Sequence, residues 1–219
     1  MEKTNFSYLL LALLIFLFGI PLADDLSLLS GPIVRFLLFS CLLIIGVWSL
    51  KGSGRLFHVG IGFVVAGIIF NVVAINIVSQ TLLYGSYASL LGFLLIVISC
   101  TLKQVAVGTE ISANRLVGAV CVYLLLGIIW AILYTLLDLS TPGSFEGISR
   151  LDDPGWDSEW LYFSFVTMTT LGYGDLLPLS ATARALAYMQ AVAGQFYIAV
   201  LVAGLVSAYI SNRQNQNAK

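Results

Sequence analysis

Charge is what this sequence lacks first. Only 10% of its 219 residues are Asp, Glu, Lys or Arg, where a water-soluble domain carries roughly 25%. The polar side chains that would cover a water-facing surface are missing. No stretch concentrates Lys or Arg, and a formal net charge of −1 gives a nucleic-acid partner nothing to hold. Histidine is down to one residue, His58, which excludes a His-based metal centre and a Ser-His-Asp triad. The three cysteines, Cys41, Cys100 and Cys121, all lie inside apolar runs. They read as small buried hydrophobes, not as a disulfide framework or metal ligands. What remains is hydrophobic: 59% of the residues, with a mean hydropathy of +0.99. An all-α integral membrane protein is expected. It has room for some six to eight spans at about 20 residues each, and none for a separate soluble domain.

Charged residues punctuate the chain and mark its spans. The first apolar run, 8–21, is followed by Asp24 and Asp25. Its charged start and Leu-rich middle fit a signal peptide, but Pro21 and Leu22 make a poor cleavage site before Ala23, so a retained span is expected. Gly31 and Pro32 open a second run, 33–50, closed by a turn over 51–55. Residues 56–102 are 47 positions without one Asp, Glu, Lys or Arg, too long for one helix and right for two. The turn between them is placed over 79–86, the most polar stretch and one that holds Gly85, giving spans three and four at 57–78 and 84–102. A polar connector at 103–115 is expected to lie along the membrane surface as an amphipathic helix. The fifth span is 116–137.

Residues 139–159 are different material. Pro142, Gly143, Gly147, Pro154 and Gly155 sit among Glu146, Asp152, Asp153 and Asp157, which describes an aqueous loop. The apolar stretch 160–170 that follows is about 11 residues, or roughly 16 Å of helix, half a bilayer. A half-length helix running into glycines is a re-entrant pattern, tolerated only where protein buries the broken backbone. The last span is 184–210. Seven of the ten basic residues (Lys3, Lys51, Arg55, Lys103, Arg115, Arg213 and Lys219) then fall on one side of a six-span arrangement, the cytoplasm, with both termini. Arg35, Arg150 and Arg184 dissent; Arg35 and Arg184 lie near outer span ends, where snorkelling is cheap.

The segment Thr167-Met168-Thr169-Thr170-Leu171-Gly172-Tyr173-Gly174-Asp175 carries the chemistry. Stripping water from a cation requires a replacement shell of oxygens, which backbone carbonyls supply if successive C=O groups point one way. That takes unusual φ/ψ values, which Gly172 and Gly174 adopt without a Cβ penalty. Leu171 and Tyr173 then point away from the ion path and brace it, while Thr170 adds a hydroxyl. The sequence resembles the potassium-channel pore signature, with TLGYG in place of the commoner TVGYG, and the resemblance covers about 116–210. It implies K⁺ as the permeant ion, held at Thr170, Leu171, Gly172 and Tyr173, with Gly174 closing the carbonyl ladder. One chain supplies one such strand, so a ring of carbonyls implies three further copies, a homotetramer.

The resemblance extends residue by residue around the filter. Asp175 matches the acidic residue at its outer mouth. Tyr162 and Phe163 match paired aromatics, usually tryptophans, that form a cuff, and the Tyr162 hydroxyl is available to replace an indole N–H toward the aspartate. Val166 stands where a bacterial two-span channel has a buried glutamate, so less dependence on a carboxyl pair is implied. Thr169 is grouped with these supports. In the last span Val192-Ala193-Gly194 matches a glycine hinge; Gly194 reads equally as a hinge and as a close-packing glycine. Gln195 is aimed near the water-filled cavity, and Ile198, Val202 and Val206 continue that side as a hydrophobic constriction.

Six spans with a pore between the fifth and sixth resemble the voltage-gated plan, whose fourth span carries Arg or Lys every third residue. Residues 81–102 carry none. Asn71, Asn76 and His58, the polar residues of the third span, read as structural. The tail 211–219 is too short for a ligand-binding gating domain. The expected organisation is a four-span domain over 1–102, a cytoplasmic linker over 103–115, a pore module over 116–210 and a short cytoplasmic tail. The expected function is a compact, prokaryotic-type, K⁺-selective channel of a plasma membrane, without cofactor or covalent step and not steeply voltage-gated. Lipid surrounds it, and an unidentified lipid or cytoplasmic regulator is left open. A nonselective channel, a modulatory subunit that joins other pores and a K⁺ transporter are the alternatives. The intact Tyr173 and Gly174, the complete filter and the single pore loop stand against them in turn.

Overall fold

The computed structural model describes residues 6–26, 46, 55–76, 80–106, 113–148 and 158–217. Six helices carry nearly all of it: α1 Phe6–Leu26, α2 Arg55–Asn76, α3 Gln80–Ala106, α4 Ala113–Ser140, α5 Ser158–Met168 and α6 Ala181–Asn217. Two two-residue strands, β1 Phe145–Glu146 and β2 Leu177–Pro178, pair antiparallel, Phe145 opposite Pro178 and Glu146 opposite Leu177. Among the described residues three helical stretches are long and apolar enough to cross a membrane: Gln80–Val105, Ala113–Ser140 and Ala181–Gly204. Phe6–Gly19 and Leu56–Phe70 are shorter apolar helices. The expected second span, Cys41, Arg35, residues 51–54 of the expected turn and the acidic residues 152–157 lie outside the described residues, save Gly46, which sits against the Phe93 ring; Arg55 of that turn begins α2.

Helix α4 is the centre of the packing, touched by α1, α3, α5 and α6. Phe6, Leu9, Leu13 and Phe16 recur every three or four residues on α1 and are buried, whereas Tyr8, Leu11, Ile15 and Phe18 on the other side are exposed. That is one packed face and one open face of a helix that is apolar all round. Helices α2 and α3 form a hairpin that uses small residues for close approach. The Phe63 ring lies where a Cβ on Gly92 would sit, and the Phe70 ring crowds Gly85 in the same way.

This is why the turn expected over 79–86 is not there. Gly85 serves packing inside α3 rather than a reversal, and the helix is already under way at Gln80. Of the connector 103–115, residues 107–112 lie outside the described residues, and both of its ends belong to the flanking helices. Helix α3 runs on to Ala106 and α4 starts at Ala113. Arg115 ties them, its Nε and Nη2 donating to the Val105 carbonyl at 3.1 and 2.5 Å, and so satisfies an end-of-helix acceptor that has no intrahelical partner. Next to it, Asn114 Oδ1 accepts from the Phe6 N–H at 2.9 Å, which caps α1 from a distant part of the chain. Gly118 leaves room for Phe6 and Val105 to meet. The start of α4 thus grips one end each of α1 and α3. At the other extreme α6 continues to Asn217, through residues assigned to the tail, because no Gly or Pro interrupts it there.

Candidate functional site

Helix α5 has 11 residues, too few to cross a bilayer. It is wedged between α4 and α6. Glu159 in its first turn complements the positive end of the helix, and its last turn dissolves into the candidate filter. The Thr169 N–H still reaches Phe165 O, Thr170 N–H reaches Thr167 O, and then Leu171 and Gly172 both donate to Val166 O, at 3.0 and 3.3 Å. The strand therefore hangs from one carbonyl of the helix.

From there the backbone alternates. Thr170 has φ 60°, Gly172 58° and Gly174 80°, while Leu171 and Tyr173 between them stay at negative φ. Alternating the two hands turns successive carbonyls toward the same side of a strand, which is what an oxygen-lined ion path requires. The cost is visible: Thr170 is β-branched, and a left-handed φ there is a true outlier, strain of order 1–3 kcal/mol that the surroundings must hold. Its Oγ1 donates to the Thr169 carbonyl at 2.6 Å, and Thr169 Oγ1 to Phe165 O at 2.7 Å. At Gly172 and Gly174 a Cβ would meet nothing within 4 Å, so φ and not space demands glycine.

The 170–175 segment is braced on one flank. Tyr162 Oη donates to Asp175 Oδ2 at 2.6 Å, and Asp175 Oδ1 accepts the Leu176 N–H at 3.1 Å. This bond lowers the Asp175 pKa and pushes that of Tyr162 up to about 12, since each keeps the protonation state that makes it. The Tyr162 and Tyr173 rings stack, 6.5 Å apart and 7° from parallel. Phe163 is buried in an edge-to-face cluster with Tyr134 and Phe145, to which Trp160 also belongs. Val166 is buried and contributes its carbonyl. Gly147, at φ 90°, lets the β1 end lie against the Asp175 carbonyl, where any Cβ would collide. Leu179 and Ser180 N–H groups close the loop onto Ser144 O, and Ser180 Oγ caps α6 through the Ala183 N–H at 3.1 Å. Arg184 Nε donates to Pro178 O at 3.2 Å, a bond to the loop backbone.

On α6, Gly194 is buried against α5: a Cβ would lie 2.6 Å from the Met168 carbonyl oxygen. The contact with Met168 is a close-packing one. Gln195, Ile198 and Val202 are exposed in the chain. The side chains of Val206, Asn71 and Asn76 lie outside the described ones, and His58 is exposed with its ring edge-on to Phe57.

Three polar residues that the sequence reading passed over meet here. Gln190 Nε2 donates to Ser164 O at 2.9 Å and to Ser164 Oγ at 2.7 Å; its Oε1 accepts from Tyr134 Oη at 2.5 Å; Ser164 Oγ donates to Gly127 O at 2.6 Å. The available signal was spacing: Gln190 lies one helical turn before Gly194, a lone amide on the same face of an apolar helix. No curated protein and no solved structure matches the chain. Residues 116–211, from the start of α4 through α5 and the 170–174 segment into α6, match a protein-family model described as ion channel, and this match supports an ion-channel family for the module just described.

Proposed function

We propose that the protein is a K⁺-selective channel in which four copies surround one ion path and K⁺ moves down its gradient through the carbonyls of 170–174. The observation that carries this reading is the alternation of φ at Thr170, Gly172 and Gly174 directly after a half-length helix. A structural loop has no need of it, and a stack of inward carbonyls does. The intact Tyr173 and Gly174 favour selectivity over a nonselective pore.

Fourfold assembly is supported by what one chain leaves uncovered. In the apolar stretch of α6 only 11% of the residues are buried inside the chain, against 56% in α4. Ala183, Gln190 and Gly194 face inward, whereas Tyr188, Val192, Phe196 and Val200 form an exposed row at four-residue steps. Leu171 and Tyr173 are also exposed, at 55% and 68%, large apolar side chains next to a strand that a single chain does not pack. Neighbouring copies would bury both. In the six-span arrangement, the one-sided distribution of Lys and Arg supports both termini in the cytoplasm.

The test is the reversal potential of the purified protein in planar bilayers under a K⁺/Na⁺ gradient. A value near the K⁺ equilibrium potential is expected. A value near zero overturns K⁺ selectivity, and a native mass of a dimer or trimer overturns the carbonyl ring.

A further inference from the structure

The junction of α4, α5 and α6 holds a polar network that the pore chemistry described so far does not use. Gln190, Ser164 and Tyr134 are each 0% exposed. The Gln190 amide has all its hydrogen-bonding capacity engaged but one acceptor lone pair, and it joins the half-length helix to both neighbouring spans at once. A network satisfied to this degree in a low-dielectric site is stiff, and losing one member leaves its partners buried and unpaired.

The network does something that the apolar contacts around it do not. The close approaches of Gly127 to the Phe165 ring and of Gly194 to Met168 set how near α5 lies to each span. Dispersion is non-directional, so these contacts leave the rotation of α5 about its axis weakly determined. Hydrogen bonds weaken steeply away from their preferred angles, and those at Ser164 fix that rotation. Two residues farther along, the Val166 carbonyl carries both Leu171 and Gly172 of the filter strand. A turn of α5 would swing that carbonyl and, with it, the first rungs of the ladder.

We infer that Gln190 is a positioning residue for ion selection. Acting through Ser164, it fixes the rotation of the re-entrant helix and so the spacing of the filter carbonyls. This rests on the K⁺-channel reading above. Gln190 does not touch the ion.

The test uses the full chain in planar bilayers, with Gln190→Met, Tyr134→Phe and Ser164→Ala compared to wild type. The Na⁺/K⁺ permeability ratio is read from the reversal potential, and native mass and thermal melting are recorded on the same samples. Gln190→Met keeps the length and apolar volume and removes the bonds, so the ratio is expected to rise roughly tenfold, with Tyr134→Phe giving a smaller rise in the same direction. Variants that melt earlier yet select K⁺ as wild type does would overturn the inference, because a purely structural amide affects melting alone. If Gln190→Met does not assemble, Tyr134→Phe and Ser164→Ala decide by the same ratio. A wild type without K⁺ preference would overturn the channel reading itself, and that outcome is distinct from a selective wild type with equally selective variants.

Discussion

At the scale of single residues, Gly172 is where backbone geometry and steric fit separate. Its φ is 58°, and nothing within 4 Å would oppose a Cβ. Ala there meets no clash and only the intrinsic penalty of the left-handed region, about 1–2 kcal/mol per residue, repeated in each copy of the proposed assembly. Gly172→Ala is therefore expected to leave the helix content and the assembled mass unchanged while abolishing conduction, measured as rubidium uptake into vesicles; wild-type uptake would contradict it. The Tyr162–Asp175 bond makes a pH prediction. The Asp175 carboxyl is held below its ordinary 3.8, first by the Tyr162 hydroxyl, so its stabilisation is present above that value and lost as pH falls through the lower folded pKa. The Tyr162 phenol is raised from 10 to about 12, first by Asp175, so its share is present below 10 and lost as pH rises through about 12. Between these limits the brace is intact. Tyr162→Phe removes it, moving the Asp175 titration back toward 3.8, and acid loss of current is expected at a higher pH in the variant than in wild type. Titration of the external solution in both proteins measures this; superimposable curves would contradict it.

At the scale of elements, hydropathy and charge made the helices legible and left their ends obscure. The run 116–137 marks a helix because it is apolar throughout, but α4 extends three residues before it and three after it. Polar Asn114 and Arg115 are good first-turn residues when their side chains have partners on α1 and α3, and a single-sequence reading does not see partners. Gly85 misled for a related reason: a glycine marks either a turn or a close contact, and only the Phe70 ring decides between them. The run 160–170 has the length of α5, which sits two residues earlier, since Thr170 leaves the helical region and ends it. The special character of 170–174 was legible because two glycines two apart next to a threonine are local information. The Gln190 network was not, because Tyr134, Ser164 and Gln190 are 26 to 56 residues apart and each alone is an ordinary polar residue. The β1–β2 pair has two residues per strand, too short to show any period.

At the scale of the whole molecule, the proposed pore module is joined to a helix, α3, whose apolar stretch carries almost no charge for an electric field to act on. Steep voltage gating requires charge moved through the membrane, each elementary charge contributing about 2.3 kcal/mol per 100 mV. Between Gln80 and Leu102 helix α3 has no Arg or Lys, and Lys103 lies in its last turn. Single-channel open probability is expected to stay nearly flat from about −100 to +100 mV in symmetric K⁺. An e-fold change over a few millivolts would mean a sensor elsewhere in the chain. The cap that Asn114 places on Phe6 also dictates an order of assembly. The two residues are 108 positions apart, and Cys121, whose thiol faces the Phe6 carbonyl, is 115 away. Helices α2 and α3, three residues apart in the chain, find each other as soon as both exist. Among the described residues α1 packs chiefly on α4, and at roughly 5–20 residues synthesised per second its face waits in the membrane on the order of ten seconds for that partner. A face of Phe6, Leu9, Leu13 and Phe16 without one charged side chain is a surface that waits there at little cost.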